Sequence, residues 1–368
     1  MTTTRPRHQH LDSAILDQLD TYGPDHCPQL SYEQAVDYTR RLARSHYENF
    51  TVVSWFLPKR LRDDFRNVYA FCRWADDLGD ETGDRRRSLD LLAWWRQEVD
   101  RCYEGSPRHP VFIALKPTID KHDIPRKPFD DLIDAFVQDQ TVTRYDTYDQ
   151  VLDYCTRSAD PVGRLVLYLC GYRDEQRQQL SDATCTALQL ANFWQDVRRD
   201  VIERDRVYIP ADVARAHDLD IELMVKAIRA DAAACEARGE GCCDASHLTS
   251  AGIRALLPAY RATLHDLVDR TEVLFVKGRA LLPMIDAEYR VDIALFSRGG
   301  EAILRMIRRL DYNTLATRPS LSKGAKVALM MRALAGKWLG IGAGRGAARG
   351  VGVGTHHQQR DGVDKRSQ

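Results

Sequence analysis

Neither sign of charge is in excess: 53 Lys and Arg meet 53 Asp and Glu in 368 residues. A balanced chain sets up no broad basic field of the kind that draws nucleic acid, so any charge-driven function must be local. There is no CxxC pair; the nine cysteines are scattered, with only Cys242 and Cys243 adjacent. That excludes the usual zinc clusters and a disulfide framework, and the plain expectation is reduced thiols in a cytoplasmic protein. No run of 18 apolar residues could span a bilayer, and "MTTTRPRHQHLDSAILDQLD" lacks the apolar core of a secretory signal. The eleven histidines show no HxxxH spacing, so none is assigned to a metal. Alternation of period two is also missing, which removes the main signal for strands.

What is present is helical periodicity. In "SYEQAVDYTRRLARSHY" a candidate N-cap, Ser31, precedes Ala35, Val36, Tyr38, Leu42 and Ala43, broadly on one face. Similar patterns run through 60–80, 85–104, 128–140, 147–171, 174–204, 219–236, 246–285, 287–310 and 320–339. The expected fold class is all-α, a single helical domain over residues 30–339 after an N-terminal extension, 1–29. The final stretch, 340–368, is Gly-rich and polar, with too little apolar surface to order itself. Its "GAGRGA" (342–347) fits GxGxxA, but a dinucleotide site needs a strand before it and a helix after it, and a helical pattern precedes it. Just upstream, "KGAKVALMMRALAGKWLG" is a basic amphipathic stretch, which packs on the domain or lies peripherally on an anionic membrane.

Two acidic clusters stand out. "FCRWADDLGDE" sets Asp76 and Asp80 four residues apart on one helical face. Such a like-charge pair costs an isolated helix about 0.2–0.5 kcal/mol, which solvent can absorb, and with so many acidic residues the spacing also recurs by chance. The second cluster, "QLANFWQDVRRDVIERDRVYIP" (189–210), aligns Asn192, Asp196 and Asp200 at i, i+4 and i+8, with Gln189 a turn earlier and Arg206 close by. Both lie among large apolar residues: Val68, Phe71 and Trp74 for the first, Leu190, Phe193 and Trp194 for the second. Two half-buried acidic helices facing one another would repel unless cations bridged them. Hard oxygen ligands of this kind suit Mg²⁺, which completes its shell with water and substrate phosphates. The reading is a pocket that takes a diphosphate at its mouth and a hydrocarbon in its depth, with metal and arginines neutralising the departing charge.

Taken together with "NFTVVSWFLPKRLR" (49–62) and "YCTRSADPVG" (154–163), these motifs resemble the squalene/phytoene synthase family over about 49–326. The resemblance implies an isoprenoid-synthase bundle around an apolar cavity, with Asp76, Asp80, Asp196 and Asp200 as Mg²⁺–diphosphate carboxylates and Asn192 and Gln189 assisting. It implies diphosphate contacts from Arg73 and Arg206 and a proton-handling role for Tyr154, which by its residue type alone reads as an ordinary core tyrosine. Within the family, "HYENFTVVSWFLPKRLR", the second acidic motif and "FSRGGEAIL" (296–304) most resemble the hydroxysqualene synthases of the bacterial hopanoid pathway. Those enzymes ionise presqualene diphosphate and quench the rearranged cation with water, so no nicotinamide cofactor is expected. The alternatives are condensation of two prenyl diphosphates and a non-catalytic scaffold for partner enzymes of the same pathway, though a scaffold need not keep both carboxylate sets.

Two departures bear on this. Gln195 stands where many members have Arg, which removes a cation beside the second motif, and Gly300 stands where many have an aromatic residue. The expectation is that less bulk at Gly300 admits a water; the competing reading is that Gly299 and Gly300 allow close helix packing. Asp131 and Asp139 are either further polar pocket residues or, on the plainer reading, surface helix positions, and Arg198 and Arg199 either hold phosphate or pair locally, as Arg199 can with Glu203.

Overall fold

The computed structural model describes residues 15–45, 58–237 and 251–320, and among them it is all-α. After a short 3₁₀ turn, α1 (Leu19–Tyr22) and α2 (Tyr32–Ser45) lead into α3 (Arg62–Asp80) and α4 (Arg85–Tyr103). Next come α5 (Pro110–His122), α6 (Lys127–Asp139), α7 (Tyr148–Ser158), α8 (Asp160–Leu169) and the long α9 (Glu175–Glu203). The short α10 (Ala211–Ala216), α11 (Ile221–Ala237), α12 (Ala251–Gly278), a 3₁₀ segment (Arg279–Met284) and α13 (Ala287–Arg309) complete the described chain. The stretch "KGAKVALMMRALAGKWLG", the Gly-rich end and most of "NFTVVSWFLPKRLR" lie outside the described residues.

The core has two main parts. In the first, α3 buries Phe65, Val68, Phe71, Ala75 and Leu78 at spacings of three and four, the signature of one apolar helical face. Trp74 stacks on Trp95 of α4 with centroids 5.3 Å apart, and Phe71 meets Phe112 and Phe129 edge-on. Ile15, Leu16, Leu19 and Tyr22 also pack on this cluster. In the second part α9 packs on α7, α8, α11, α12 and α13. Trp194 is fully buried there and its indole N–H donates to Thr271 Oγ1 of α12 at 2.8 Å, which fixes the rotation of α9. That rotation decides where its acidic stripe points.

The sequence reads 147–171 as one helix, but the structure breaks it at Ala159 (φ −124°, ψ −49°). Pro161 is the cause: it has no N–H for the carbonyl four residues back, and its ring crowds the preceding turn. Segment 110–122, left unassigned by periodicity, is α5. Pro110 sits at its first position and His109 caps it, with Nδ1 accepting from the Val111 N–H at 3.2 Å. Its buried residues surround much of the helix, which blurs the amphipathic signal. Among the described residues no helix is long and apolar enough to cross a membrane.

Candidate functional site

The C-terminal end of α3 and the middle of α9 bring both acidic clusters to one polar compartment of about 250 Å³, together with α6, α7 and the turn after α9. Asp76, Asp80, Tyr154, Gln189, Asn192, Asp196, Asp200 and Arg206 all border it. Arg206 joins the two halves. Asp205, at φ 54°, turns the chain sharply after α9, and the Arg206 N–H then donates to Asp200 O at 3.0 Å. Val207 N–H donates to Thr143 O at 2.9 Å, so the turn is tied on both sides. From this position the buried Arg206 guanidinium donates to Asp80 Oδ1 at 2.9 Å and lies 3.5 Å from Asp139 Oδ2. Arg204 stands 3.3 Å from Asp80 and 3.8 Å from Asp200.

Of the two readings of Asp139, the structure selects the pocket one over the plainer surface one. It is 6% exposed, and the Tyr154 hydroxyl donates to its Oδ2 at 2.7 Å. Burial pushes its carboxyl up to about 7 against the opposing pull of Arg206. Burial and the neighbouring Asp196 raise Asp200 to about 7; desolvation in the mouth and Asp80 do the same for Asp76. The Tyr154 phenol is pushed well above its ordinary value by burial and by Asp139, so it keeps its proton and acts as a donor. Around Tyr154 the wall is aromatic: Phe193 stacks on Tyr208 with centroids 3.7 Å apart, and Tyr154 lies 5.8 Å from Tyr208. Such faces favour a cation next to them.

The arginines around the site are deployed differently from the resemblance's pattern. Arg73 does not border the compartment; it pairs within its own helix, with the buried Asp77 and, at 3.3 Å, with Asp76. Gln195 faces away from the pocket, its amide donating to Pro319 O at 2.5 Å. This contact secures the segment carrying Arg318, whose guanidinium forks onto both carboxylate oxygens of Asp196, one of them at 3.0 Å. An arginine from the far end of the described chain thus faces the second motif, where local sequence offers glutamine. Arg199 takes the local option and pairs with Glu203 at 2.8 Å, whereas Arg198 is buried against Asp231 of α11 at 2.9 Å.

Behind the polar compartment lies an apolar cavity of about 230 Å³, walled by Val162, Val166, Leu167, Leu188, Leu281, Ile293 and Phe296. Ser158 and Gln189 border both spaces. Gly300 does not line the cavity: a Cβ there would run into Phe275 and Leu188, so this glycine permits close approach of α13, while Gly299 faces open space. Of the two readings of Gly300, close packing fits the structure.

The donor set suits Mg²⁺. Among the described residues no three His, Cys, Asp or Glu side chains converge tightly enough to hold an ion alone. Mg²⁺ commonly uses one or two carboxylates and takes its remaining oxygens from water and substrate phosphates, which pairs of aspartates on opposing walls can satisfy.

The chain is similar to known proteins over most of its length. The squalene/phytoene synthase pattern matches residues 43–325. The hydroxysqualene synthase of Rhodopseudomonas palustris is 31% identical over 72% of this chain and 80% of its own length. The phytoene synthase of Thermus thermophilus is 29% identical over 80% of this chain and 90% of its own. The crystal structure of squalene synthase HpnC from Alicyclobacillus acidocaldarius shares 40% identity, covers 77% of this chain and 96% of that one, and superposes with a TM-score of 0.65. A dehydrosqualene synthase solved with a ligand, 21% identical, covers 84% of this chain and 98% of that one with the same fold at a TM-score of 0.67. With paired acidic helices over an apolar cavity and a family pattern spanning most of its length, this chain belongs to the squalene/phytoene synthase family of isoprenoid synthases.

Proposed function

We propose that the chain converts presqualene diphosphate and water to hydroxysqualene and pyrophosphate. The observation that carries this reading is the junction of a compartment lined by carboxylates and arginines with an apolar cavity, both bordered by Ser158 and Gln189. The kinship with hydroxysqualene synthases supports it.

In this reading the diphosphate lies in the polar compartment and the hydrocarbon in the cavity. Asp76, Asp80, Asn192, Asp196 and Asp200 would hold Mg²⁺, which when bound would neutralise the departing diphosphate. Arg204 and Arg206 add donors on the same side, Arg318, which faces Asp196, would serve a bound diphosphate there, and Arg73, paired with Asp77 and Asp76, would act by holding the end of α3 in place. The Tyr154 phenol keeps its proton and donates it in a hydrogen bond to Asp139 in the resting protein; in this reading it redirects that single O–H to the leaving group when the diphosphate is bound. The aromatic wall of Phe193 and Tyr208 shelters the cation that remains, while the apolar walls take the hydrocarbon. No nicotinamide cofactor is required because no hydride enters. Domain limits of 30–339 with a terminal Gly-rich tail, and peripheral membrane contact through 323–340, belong to the same proposal.

A second reading is condensation of two prenyl diphosphates, which the kinship with a phytoene synthase favours. Purified protein with Mg²⁺ and no reductant, given farnesyl diphosphate or presqualene diphosphate separately, decides between them. Hydroxysqualene from presqualene diphosphate is the expected result. Presqualene diphosphate or a longer hydrocarbon from simple prenyl diphosphates would move the chain to the condensing branch, and no product from either would restore the scaffold alternative.

A further inference from the structure

The proposed reaction ends with a water molecule reaching a cation inside an apolar cavity, and the rest of the structure constrains where that water is held. Gly300 does not provide the room, because α13 packs closely there. The cavity walls are mostly hydrocarbon, and Thr184, among the polar side chains present, is turned toward its own helix, its hydroxyl donating to Leu180 O at 3.5 Å. Ser158 differs. Its Oγ is buried and makes no hydrogen bond among the described residues, although a buried hydroxyl without a partner is costly. The residue borders the apolar cavity and also the polar compartment, its Oγ shielded from solvent in the resting rotamer, and Gln189 on α9 borders both spaces as well.

The helix break explains its position. Ser158 is the last residue of α7, and Pro161 has no N–H to offer the carbonyl of Arg157, so α7 ends at the junction instead of running on. The negative end of its dipole therefore abuts the junction of the two spaces, which favours a cation or an oriented water there.

We infer that Ser158, with Gln189, holds the water that quenches the cation. This rests on the hydroxysqualene reading and assigns its product-determining residue. The C–O bond to diphosphate breaks and its electron pair leaves with the diphosphate. After rearrangement, a lone pair of the held water forms the new C–O bond. The proton released passes to the pyrophosphate in the adjoining polar compartment. No oxidant or reductant is needed. Without the serine hydroxyl, the cation is resolved by losing a proton, giving a hydrocarbon.

The test is the product ratio, alcohol to hydrocarbon, from presqualene diphosphate, whatever the total rate. Ser158→Ala is expected to lower that ratio about 10-fold, the equivalent of one net hydrogen bond, and Ser158→Thr, which keeps the hydroxyl, to restore it. A purely structural serine would change rate or melting temperature but not the ratio. An unchanged ratio in Ser158→Ala overturns the inference while leaving the hydroxysqualene reading intact; a wild-type protein that makes no hydroxysqualene removes both. If Ser158→Ala does not accumulate as folded protein, Ser158→Cys is read in the same way.

Discussion

The two spaces of the pocket are similar in size, about 250 Å³ and about 230 Å³, and are built by opposite rules. The polar one takes four of its five carboxylates from two helices, each pair at the four-residue spacing that keeps side chains on one face, and the fifth, Asp139, from the end of α6. The apolar one is assembled from α7, α8, α9, α13 and a 3₁₀ segment, with no spacing to mark it. Electrostatic chemistry thus leaves a periodic trace in sequence, whereas a cavity wall only has to be apolar and of the right size.

Substitutions can break this comparison. The largest effect is expected in the polar space: Asp80→Asn removes the carboxylate that meets both Arg204 and Arg206, and should lower kcat/KM for pyrophosphate release by about 10²–10³-fold. Tyr154→Phe removes only the hydroxyl proposed as proton donor and should cost about 10²-fold in kcat, with Asp139→Asn following it because the two groups are hydrogen-bonded. On the apolar side, Gly300→Ala forces a methyl group against Phe275 and Leu188 and should cost about 1–3 kcal/mol of stability, seen as a lower melting temperature.

A pH series sharpens the contrast. Burial, then Asp182, raises Asp160 to about 7, and Asp76, Asp139 and Asp200 are raised similarly. A carboxyl that holds its proton in the folded state up to about 7, but releases it near the ordinary value when unfolded, stabilises the fold fully only below that ordinary value. This stabilisation is lost as pH rises through about 7. Metal-free protein should therefore melt at lower temperature at pH 8 than at pH 5, and Asp160→Asn should reduce the difference; equal melting temperatures for the wild type would refute it. The smallest effect is expected at Arg199→Ala, which removes an exposed pair with Glu203 and should change stability by less than about 0.5 kcal/mol.

The all-α class and the acidic stripes were legible because both are local and periodic. Asp139 was not, since its burial comes from Tyr154 and Arg206, distant in sequence, while its local segment reads as an ordinary amphipathic helix end. Arg318 was hidden for the same reason: it lies 122 positions from Asp196 and is brought there by the return of the chain after α13. The helix break at Ala159 was signalled by Pro161 but masked by the apolar pattern on either side. The six residues of α10 are too few to show a period.

The arginines at the mouth have a thermodynamic consequence. Asp80, Asp196 and Asp200 each already face a guanidinium, so a divalent ion arriving alone must displace a counter-charge and leave an arginine without an anion. A diphosphate arriving with the ion supplies that anion. The two ligands should therefore bind with positive coupling, each tightening the other by the same factor, and neither binding well alone. Calorimetric titration of Mg²⁺ with and without inorganic pyrophosphate would measure that factor. In such a site the resting protein keeps its own charges matched, and the catalytic state is reached only when the ion and its anionic partner arrive together.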